Sequence, residues 1–283
     1  MYENYRPPQA NSLPPIVKNI LILNVILFLG KEAFMRAQGI DLTDHLGQHY
    51  FLSEKFKLWQ PVTSLFMHFD IAHIVLNMLG LYIFGSILER YWGPKKFLIF
   101  YFVCGLGASA TDFTVNYFRM NSTLEPVNEY IQAPNPKKFE DLLEGKSVVI
   151  YPEMSENYLI MANKYNNLMN DGKTGEATAL SVSYMKEYEQ EFMNIPVSIG
   201  ASGAIYGLLL AFAMIFPNVK LLLYFFIPIR AWIAVTIFGL IELGSAFAQF
   251  KGDNVGHVAH LGGMLFGLIM LLYWKRRDKR IYH

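Results

Sequence analysis

The sequence contains a single cysteine, Cys104, among 283 residues. One thiol cannot form an intramolecular disulfide, and it excludes a zinc site built from several cysteines. Charged residues are also scarce, at 17% of the chain, whereas soluble proteins have roughly 25%. The net charge is only +1, so the chain lacks the basic excess that accompanies nucleic-acid binding. These absences exclude a disulfide-rich secreted domain, and no nucleic-acid partner is expected.

Two motifs of intramembrane chemistry are absent as well. No His-Glu-x-x-His occurs, which is the zinc-metalloprotease pattern, and no Gly-x-Gly-Asp or pair of mid-span aspartates suggests an aspartyl mechanism. Four histidines lie in or beside apolar segments: His68, His73, His257 and His260. His68 and His73 point to different faces, and no carboxylate has metal-ligand spacing. We therefore expect no metal and no cofactor.

Long apolar runs are what the sequence has in abundance, since 53% of its residues are hydrophobic. A helix needs about 20 predominantly apolar residues to cross a bilayer. Candidate spans are found at 17–36, 68–88, 96–115, 198–216, 221–248 and 256–274. The pattern predicts an all-α polytopic membrane protein with a bundle of six transmembrane helices.

Aromatic and basic residues orient these spans. The last run ends at Tyr273 and Trp274, and the tail 275–283 that follows is strongly basic, as expected on the cytoplasmic side. Alternation of the spans then places the N-terminal tail 1–16 on the same side. Its first residues are polar and proline-rich, without a recognisable signal peptide or presequence. The expected location is thus a plasma membrane, or the inner membrane of a bacterium.

A change in composition separates the third span from the fourth. Residues 116–195 are rich in Asn, Glu, Lys and Tyr, and by orientation they form an extracytoplasmic soluble insertion. Glu156–Asn170 and Glu176–Met193 predict two helices separated by a turn. Two roles stay open for the insertion: a helical hairpin packed over the outer surface, or a module that recognises a substrate or partner. The core spans fall on either side of it, at 17–115 with the outer loop 37–67, and at 196–274.

Polar residues interrupt the apolar spans at places where unpaired polar groups are costly. On the second span, His73 and Asn77 are four residues apart and share one helical face. The fourth span opens with Ser202, in a first turn whose backbone N–H groups are unpaired and can stabilise an oxyanion. Tyr206 follows one turn later on the same face. Two spans thus offer a nucleophile and hydrogen-bond donors.

The sixth span adds a base and small residues. His260 shares a face with Gly263 and Gly267, which allow close approach of another helix. If this face packs on the glycine face of the fourth span, Ser202 and His260 arrive at the same depth, as a nucleophile and its general base require. Each feature alone has a simpler explanation: helix packing, a serine bonded to its own helix, or a structural histidine. Their combination indicates serine hydrolase chemistry.

In these motifs the sequence resembles the rhomboid family of intramembrane serine proteases. The resemblance covers 17–115 and 196–274 and excludes the insertion. It rests on His68-x4-His73-x3-Asn77, Gly200-x-Ser202-Gly203 with Tyr206, Ala259-His260-x2-Gly263-x3-Gly267, and the turn Glu89-Arg90-Tyr91-Trp92-Gly93.

The resemblance implies a Ser–His dyad without an acidic third member. Ser202 would be the nucleophile, and His260 the general base and later the acid. His73, Asn77 and the backbone N–H of Ser202 would form the oxyanion hole. Tyr206 would stack against His260 and fix its orientation.

Other residues would support this dyad. His68 would bond to loop backbone and hold the loop 37–67 against the bundle. Glu242 on the fifth span is interpreted as an interfacial anchor or as a contact of a lateral gate. The supporting set is completed by the glycines of the motifs, Gly200, Gly203 and Gly263.

The expected function is that of an intramembrane serine endopeptidase, which cleaves peptide bonds in or next to transmembrane helices. Its partners would be single-pass or polytopic membrane-protein substrates and the lipid bilayer. The alternative is an inactive rhomboid-like protein that binds client helices; such proteins typically lack the serine or the histidine. A transporter or channel is disfavoured because the polar residues gather at one end of the spans.

Overall fold

The computed structural model describes residues 12–145, 148–223, 227–248 and 256–277. The chain divides into two compact units. The first unit contains the described residues of Met1–Gln48, Lys57–Phe113 and Val197–His283. The second unit contains those of His49–Phe56 and Thr114–Pro196.

Helices account for most of the described chain. In chain order they are α1 (Pro15–Gln38), α2 (Thr43–Leu46), α3 (Gln60–Thr63), α4 (Ile71–Trp92), α5 (Pro94–Gln132), α6 (Pro136–Glu144), α7 (Ser155–Asn170), α8 (Thr174–Asn194), α9 (Ser202–Ile215), α10 (Ala231–Ala248) and α11 (His257–Arg277). One wider turn lies within α4 at Leu81–Gly85, and single 3-10 turns lie at Ser64–Phe66 and Pro152–Met154. The strands are β1 (Gln48–His49), β2 (Val197–Ser198), β3 (Lys220–Leu223) and β4 (Ile227–Arg230).

Within the described residues, four helices are long and apolar enough to cross a membrane: α4, α5, α10 and α11. The predicted all-α polytopic fold is confirmed, but the number of six spans is not established. Lys18, Lys31 and Glu32 lower the apolar character of α1. The helix α9 has 14 residues, or about 21 Å at 1.5 Å per residue, which is short of a bilayer core of about 30 Å.

The second, fourth and fifth predicted spans need correction at their starts. The helix α4 begins at Ile71, not at residue 68, because Asp70 caps it by accepting from the backbone N–H of His73 at 2.8 Å. The helix α9 begins at Ser202, and Val197–Ser198 before it is the strand β2. Residues 221–223 and 227–230 belong to the antiparallel pair β3–β4 rather than to a helix. Pro228 explains this, since proline restricts the preceding residue to extended backbone and removes a helical donor.

The third predicted span is also too short, because α5 continues past residue 115 to Gln132. Met120, Leu124 and Val127 are buried at helical spacing in the core of the second unit. This packing keeps the helix continuous even though Pro126 lies inside it.

The second unit has its own apolar core, formed by side chains of α5, α6, α7 and α8. The predicted helices at 156–170 and 176–193 are confirmed as α7 and α8. The helix α6 was not predicted, although Asn135 caps it, accepting from Lys138 N–H at 2.8 Å, and Pro136 starts it. An Asn-Pro pair is a usual helix start.

The borders of the second unit at Thr114 and Pro196 lie within two residues of the insertion predicted at 116–195. The unit also includes His49–Phe56, from the loop predicted at 37–67. The side of the membrane on which it lies stays a prediction. Of the predicted tails, residues 1–11 and 278–283 lie outside the described residues.

Glu89 ties α1 to the end of α4 in the first unit. Its carboxylate is buried and accepts from the backbone N–H groups of Ile16 at 3.0 Å and Val17 at 2.8 Å. These donors are in the first turn of α1, where N–H groups have no partner within the helix. The Glu-Arg-Tyr-Trp-Gly turn thus fixes the start of the first helix.

Candidate active site

Ser202 and His260 are in direct contact in the first unit. The Oγ atom of Ser202 lies 2.8 Å from Nε2 of His260. Ser202 is the first residue of α9, and His260 lies in the first turn of α11. Because both helices begin at this level, a nucleophile and an imidazole meet between two helix N-termini.

Glycines allow α9 and α11 to come this close. A Cβ atom on Gly263 would overlap the backbone carbonyl of Gly203, and one on Gly207 would lie 3.0 Å from the carbonyl oxygen of Gly263. A Cβ on Gly267 would lie 3.3 Å from the Cα of Gly207. The glycine faces proposed from the sequence are therefore in backbone contact.

Gly200 shapes the approach to Ser202. Its φ of 127° is a conformation that glycine adopts without strain. Its backbone N–H donates to the carbonyl of Ser64 at 2.9 Å. A Cβ atom here would lie 2.7 Å from His73 Nε2 and 3.6 Å from Ser202 Oγ. The missing side chain leaves a small space bordered by both of these groups.

His73 presents a donor to this space. Its Nδ1 accepts a long hydrogen bond, 3.4 Å, from the backbone N–H of Phe69. In a neutral imidazole the proton then belongs on Nε2, the nitrogen beside Gly200. Asn77, one turn further along α4, is buried, and its side-chain nitrogen has no hydrogen-bond partner within the described part of the chain. His73 therefore offers a donor at this space, and Asn77 lies one turn away with an unpaired amide nitrogen.

His68 is fully buried, and its ring packs edge-on against that of His73, with ring centroids 4.9 Å apart. The ring of His68 also interacts with the backbone of Phe66, which belongs to the loop predicted at 37–67; the bond to loop backbone stays a prediction. The Nζ of Lys31 donates to the carbonyls of His68 at 2.9 Å and Phe69 at 2.6 Å. A buried lysine of α1 therefore holds the segment before α4.

Tyr206 stacks on His260, with ring centroids 4.2 Å apart and planes 10° from parallel. Its hydroxyl donates to Oε1 of Glu242 on α10. The stacking agrees with what the resemblance implied, and the acceptor of the hydroxyl was not anticipated.

The surroundings of Glu242 differ from those expected from the sequence. It is buried rather than interfacial, and its Oε2 lies 3.1 Å from Nδ1 of His260 and 2.5 Å from Nδ1 of His257. A carboxylate thus contacts the ring nitrogen of His260 that does not face Ser202, where the resemblance implied no acidic residue. Its position in sequence, 18 residues before His260, gave no sign of this contact. The available signal was a lone carboxylate in an apolar helix, which is costly without a partner.

Glu242, His257 and His260 are also the described group best suited to a metal ion. Their ligand atoms all lie within 4.8 Å of one another. Hydrogen bonding and charge pairing between the carboxylate and the two imidazoles account for this closeness.

The fold and the site together define a polytopic membrane protein with a serine–histidine pair between two of its helices. The chain belongs to the rhomboid family: the Rhomboid domain matches residues 55–128 and 172–277, together more than half of the chain. The unmatched residues between these ranges fall inside the second unit.

Named relatives agree with this membership. The chain is 29% identical over 229 residues to an uncharacterized mitochondrial rhomboid protein of Schizosaccharomyces pombe, covering 78% of this chain and 52% of that protein. It is 25% identical over 225 residues to the mitochondrial RHOMBOID-like protein 12 of Arabidopsis thaliana, covering 79% and 47%. A shorter match, 34% identical over 55 residues, joins it to the rhomboid protease GluP of Bacillus subtilis, covering 19% and 11%. The chain spans about half the length of the first two relatives.

Proposed function

We propose that this protein is an intramembrane serine endopeptidase that cleaves peptide bonds in or next to transmembrane helices of membrane-protein substrates. The observation that carries the proposal is the 2.8 Å contact between Ser202 Oγ and His260 Nε2. A serine becomes nucleophilic when an adjacent base can take its proton. Membership of a family with protease-named relatives such as GluP supports the same conclusion.

In the proposed reaction, Ser202 Oγ attacks the scissile carbonyl carbon while His260 Nε2 takes the hydroxyl proton. The tetrahedral intermediate collapses, the C–N bond breaks, and His260 returns the proton to the leaving amine. Water then attacks the acyl-enzyme with His260 again as base, which releases the carboxylic acid and restores the serine.

The negative oxygen of the intermediate would be bound by His73 Nε2–H, the side-chain amide of Asn77 and the backbone N–H of Ser202. The first two are supported by the protonation that Phe69 favours in His73 and by the unpaired amide of Asn77. The third belongs to the first turn of α9, where the helix dipole also favours negative charge.

The substrate must be at least partly unwound at the site, because a helix in lipid keeps its backbone carbonyls in internal hydrogen bonds. We therefore expect glycine, proline or small polar residues near the scissile bond. Both single-pass and polytopic membrane proteins can contain such a locally unwound segment. The proposed reaction uses no cofactor.

For location we propose that both termini face the cytoplasm and that the site opens on the other side. The basic residues at the end of α11, Lys275, Arg276 and Arg277, support this orientation. A plasma or bacterial inner membrane was the expectation, whereas two relatives are named as mitochondrial. Fusion of reporter domains to each terminus in the native host, read by microscopy and protease protection, decides between these membranes.

The activity is tested by labelling the detergent-purified protein with a fluorophosphonate and reading the intact mass. Wild type should gain one label, and Ser202→Ala and His260→Ala should gain none. Ser86→Ala is the matched control, because Ser86 is another buried serine on a membrane helix and its loss should leave labelling unchanged. Labelling that persists in Ser202→Ala would contradict the proposal. A folded wild type that is never labelled would favour the alternative, a rhomboid-like protein that binds client helices without cutting them.

A further inference from the structure

Glu242 is the most costly side chain in the membrane helix α10. It is only 5% exposed, and the residues on either side of it, Ile241 and Leu243, are exposed apolar residues of the same helix. A carboxylate buried in an apolar environment needs hydrogen-bond donors or a positive charge nearby. The groups that contact this carboxylate therefore indicate the role of Glu242.

Among the described residues, the carboxylate of Glu242 contacts three groups, and all of them belong to the candidate site. Tyr206 and His257 each donate a hydrogen bond to it, one to each oxygen. The third contact is Nδ1 of His260, 3.1 Å from Oε2. This contact places the carboxylate beside the ring nitrogen of His260 that does not face Ser202. Two donors thus fix the carboxylate in place beside the histidine.

We propose that Glu242 is a positioning residue for His260, so that the catalytic unit is Ser202–His260–Glu242 rather than a serine–histidine pair alone. This inference rests on the proposed function, since it assigns Glu242 a part in the same reaction. His260 needs a free Nε2 to accept the proton of Ser202, and its other proton must therefore lie on Nδ1. A carboxylate next to Nδ1 favours that form of the ring.

Glu242 also balances charge when the reaction starts. The proton moves from Ser202 Oγ to Nε2 of His260, so the ring becomes an imidazolium with protons on both nitrogens. The negative charge of Glu242 stabilises this cation without taking its proton. Tyr206 serves twice in this arrangement, because its ring stacks on His260 and its hydroxyl holds Glu242.

The test compares Glu242→Gln with Glu242→Asp in saturation kinetics of fluorophosphonate labelling. An amide has no charge, and its NH2 group can donate to Nδ1 and so favour the wrong protonation of His260. We expect Glu242→Gln to lower the maximal labelling rate at least roughly 100-fold, with the probe concentration for half-maximal rate unchanged. Glu242→Asp keeps the charge on a shorter side chain, so its rate should fall between those of Glu242→Gln and wild type.

The matched control is Thr236→Val on the same helix. Thr236 is exposed, and within the described part of the chain its hydroxyl bonds to the carbonyl of Trp232 in its own helix, so labelling should equal that of wild type. If Glu242→Gln does not stay folded, Tyr206→Phe replaces it, because the ring remains while one donor to the carboxylate is lost. That variant should label several-fold more slowly.

The possible results separate this inference from the proposed function. A Glu242→Gln protein that labels as fast as wild type, while Ser202→Ala is not labelled, overturns the role of Glu242 and leaves the serine protease intact. Equal rates for Glu242→Gln and Glu242→Asp overturn the part played by charge. A folded wild type that is never labelled overturns the proposed function and this inference with it.

Discussion

The two units of this protein differ in how closely their helices approach one another at glycine. In the first unit, glycines of α9 and α11 bring two backbones into contact, and Gly203 and Gly263 leave no room for a Cβ atom. In the second unit, the glycines Gly172 and Gly175 have nothing within 4 Å of an added Cβ. Large side chains fill both cores: Phe97, Phe100, Tyr101 and Phe212 in the first unit, and Tyr130, Phe139, Tyr184 and Tyr188 in the second.

The difference agrees with the prediction that the first unit lies in lipid and the second in water. In lipid, burying one more apolar side chain gains little, so helices associate through close backbone contact and a few polar groups. In water, burial of large apolar and aromatic side chains supplies the stability. The tyrosines of the second unit are consistent with this, since Tyr130 bonds to Ser181 at 2.6 Å and Tyr188 to the backbone of Val149 at 3.1 and 3.2 Å.

Gly263→Ala should cause the largest loss of stability, because it disrupts the backbone contact between α9 and α11 in the first unit. The added Cβ would overlap the carbonyl of Gly203, and the cost should exceed the roughly 1–3 kcal/mol of ordinary overpacking. Cys104 is buried in this unit and is the only thiol of the chain. Its reaction with a thiol-reactive dye during heating therefore reports the unfolding of the first unit. Gly175→Ala is the control and should leave the unfolding temperature unchanged; an equal loss in both variants would contradict the comparison.

Phe139→Ala should break the second unit and spare the first. Phe139 is buried between Tyr130 and Tyr165, with ring centroids 5.4 and 4.9 Å away. Removing such a ring typically costs about 3–5 kcal/mol. We expect faster proteolysis within 114–196 but unchanged protection of Cys104, because each unit has its own apolar core. Exposure of Cys104 at the same lowered temperature would show that the two units unfold together.

High pH should give the smallest of these effects, and we test it in the second unit. Burial, with added repulsion from Glu191, raises the pKa of Tyr184 from 10.0 to about 12. The folded unit then holds this proton to a higher pH than the unfolded chain does. The stabilisation is complete below pH 10 and is lost between pH 10 and about 12. Ultraviolet titration of tyrosinate together with proteolysis measures this, and in Tyr184→Phe the loss within that window should shrink.

Much of the fold was predictable because local patterns suffice for it. Apolar runs marked the membrane helices, and the turn signal at 171–175 separated the two helices now seen as α7 and α8. The predicted ends of helices were wrong where contacts between residues far apart in sequence decide them. The continuation of α5 past residue 115 depends on a core supplied by three other helices. The start of the fifth predicted span is replaced by the strands β3 (220–223) and β4 (227–230).

In the candidate site, too, some residues were predictable from local sequence patterns and others were not. Motif spacing along single helices was enough to select Ser202 and His260 and to place Asn77 with His73, because residues four apart share a helical face. The segment before α4 shows where such spacing fails. It is held by Lys31, whose 37-residue separation from His68 carries no pattern.

The sequence by itself determined the class of this protein: its apolar runs require lipid, its glycines allow close helices, and its serine and histidine motifs match one family. Only the tertiary structure decided that a carboxylate contacts the second ring nitrogen of His260. Glu242 reaches His260 because α10 packs beside α9 and α11, and the contact joins atoms 3.1 Å apart across 18 residues of chain. Periodicity describes one helix at a time, whereas a charge held between three helices exists only once they have packed.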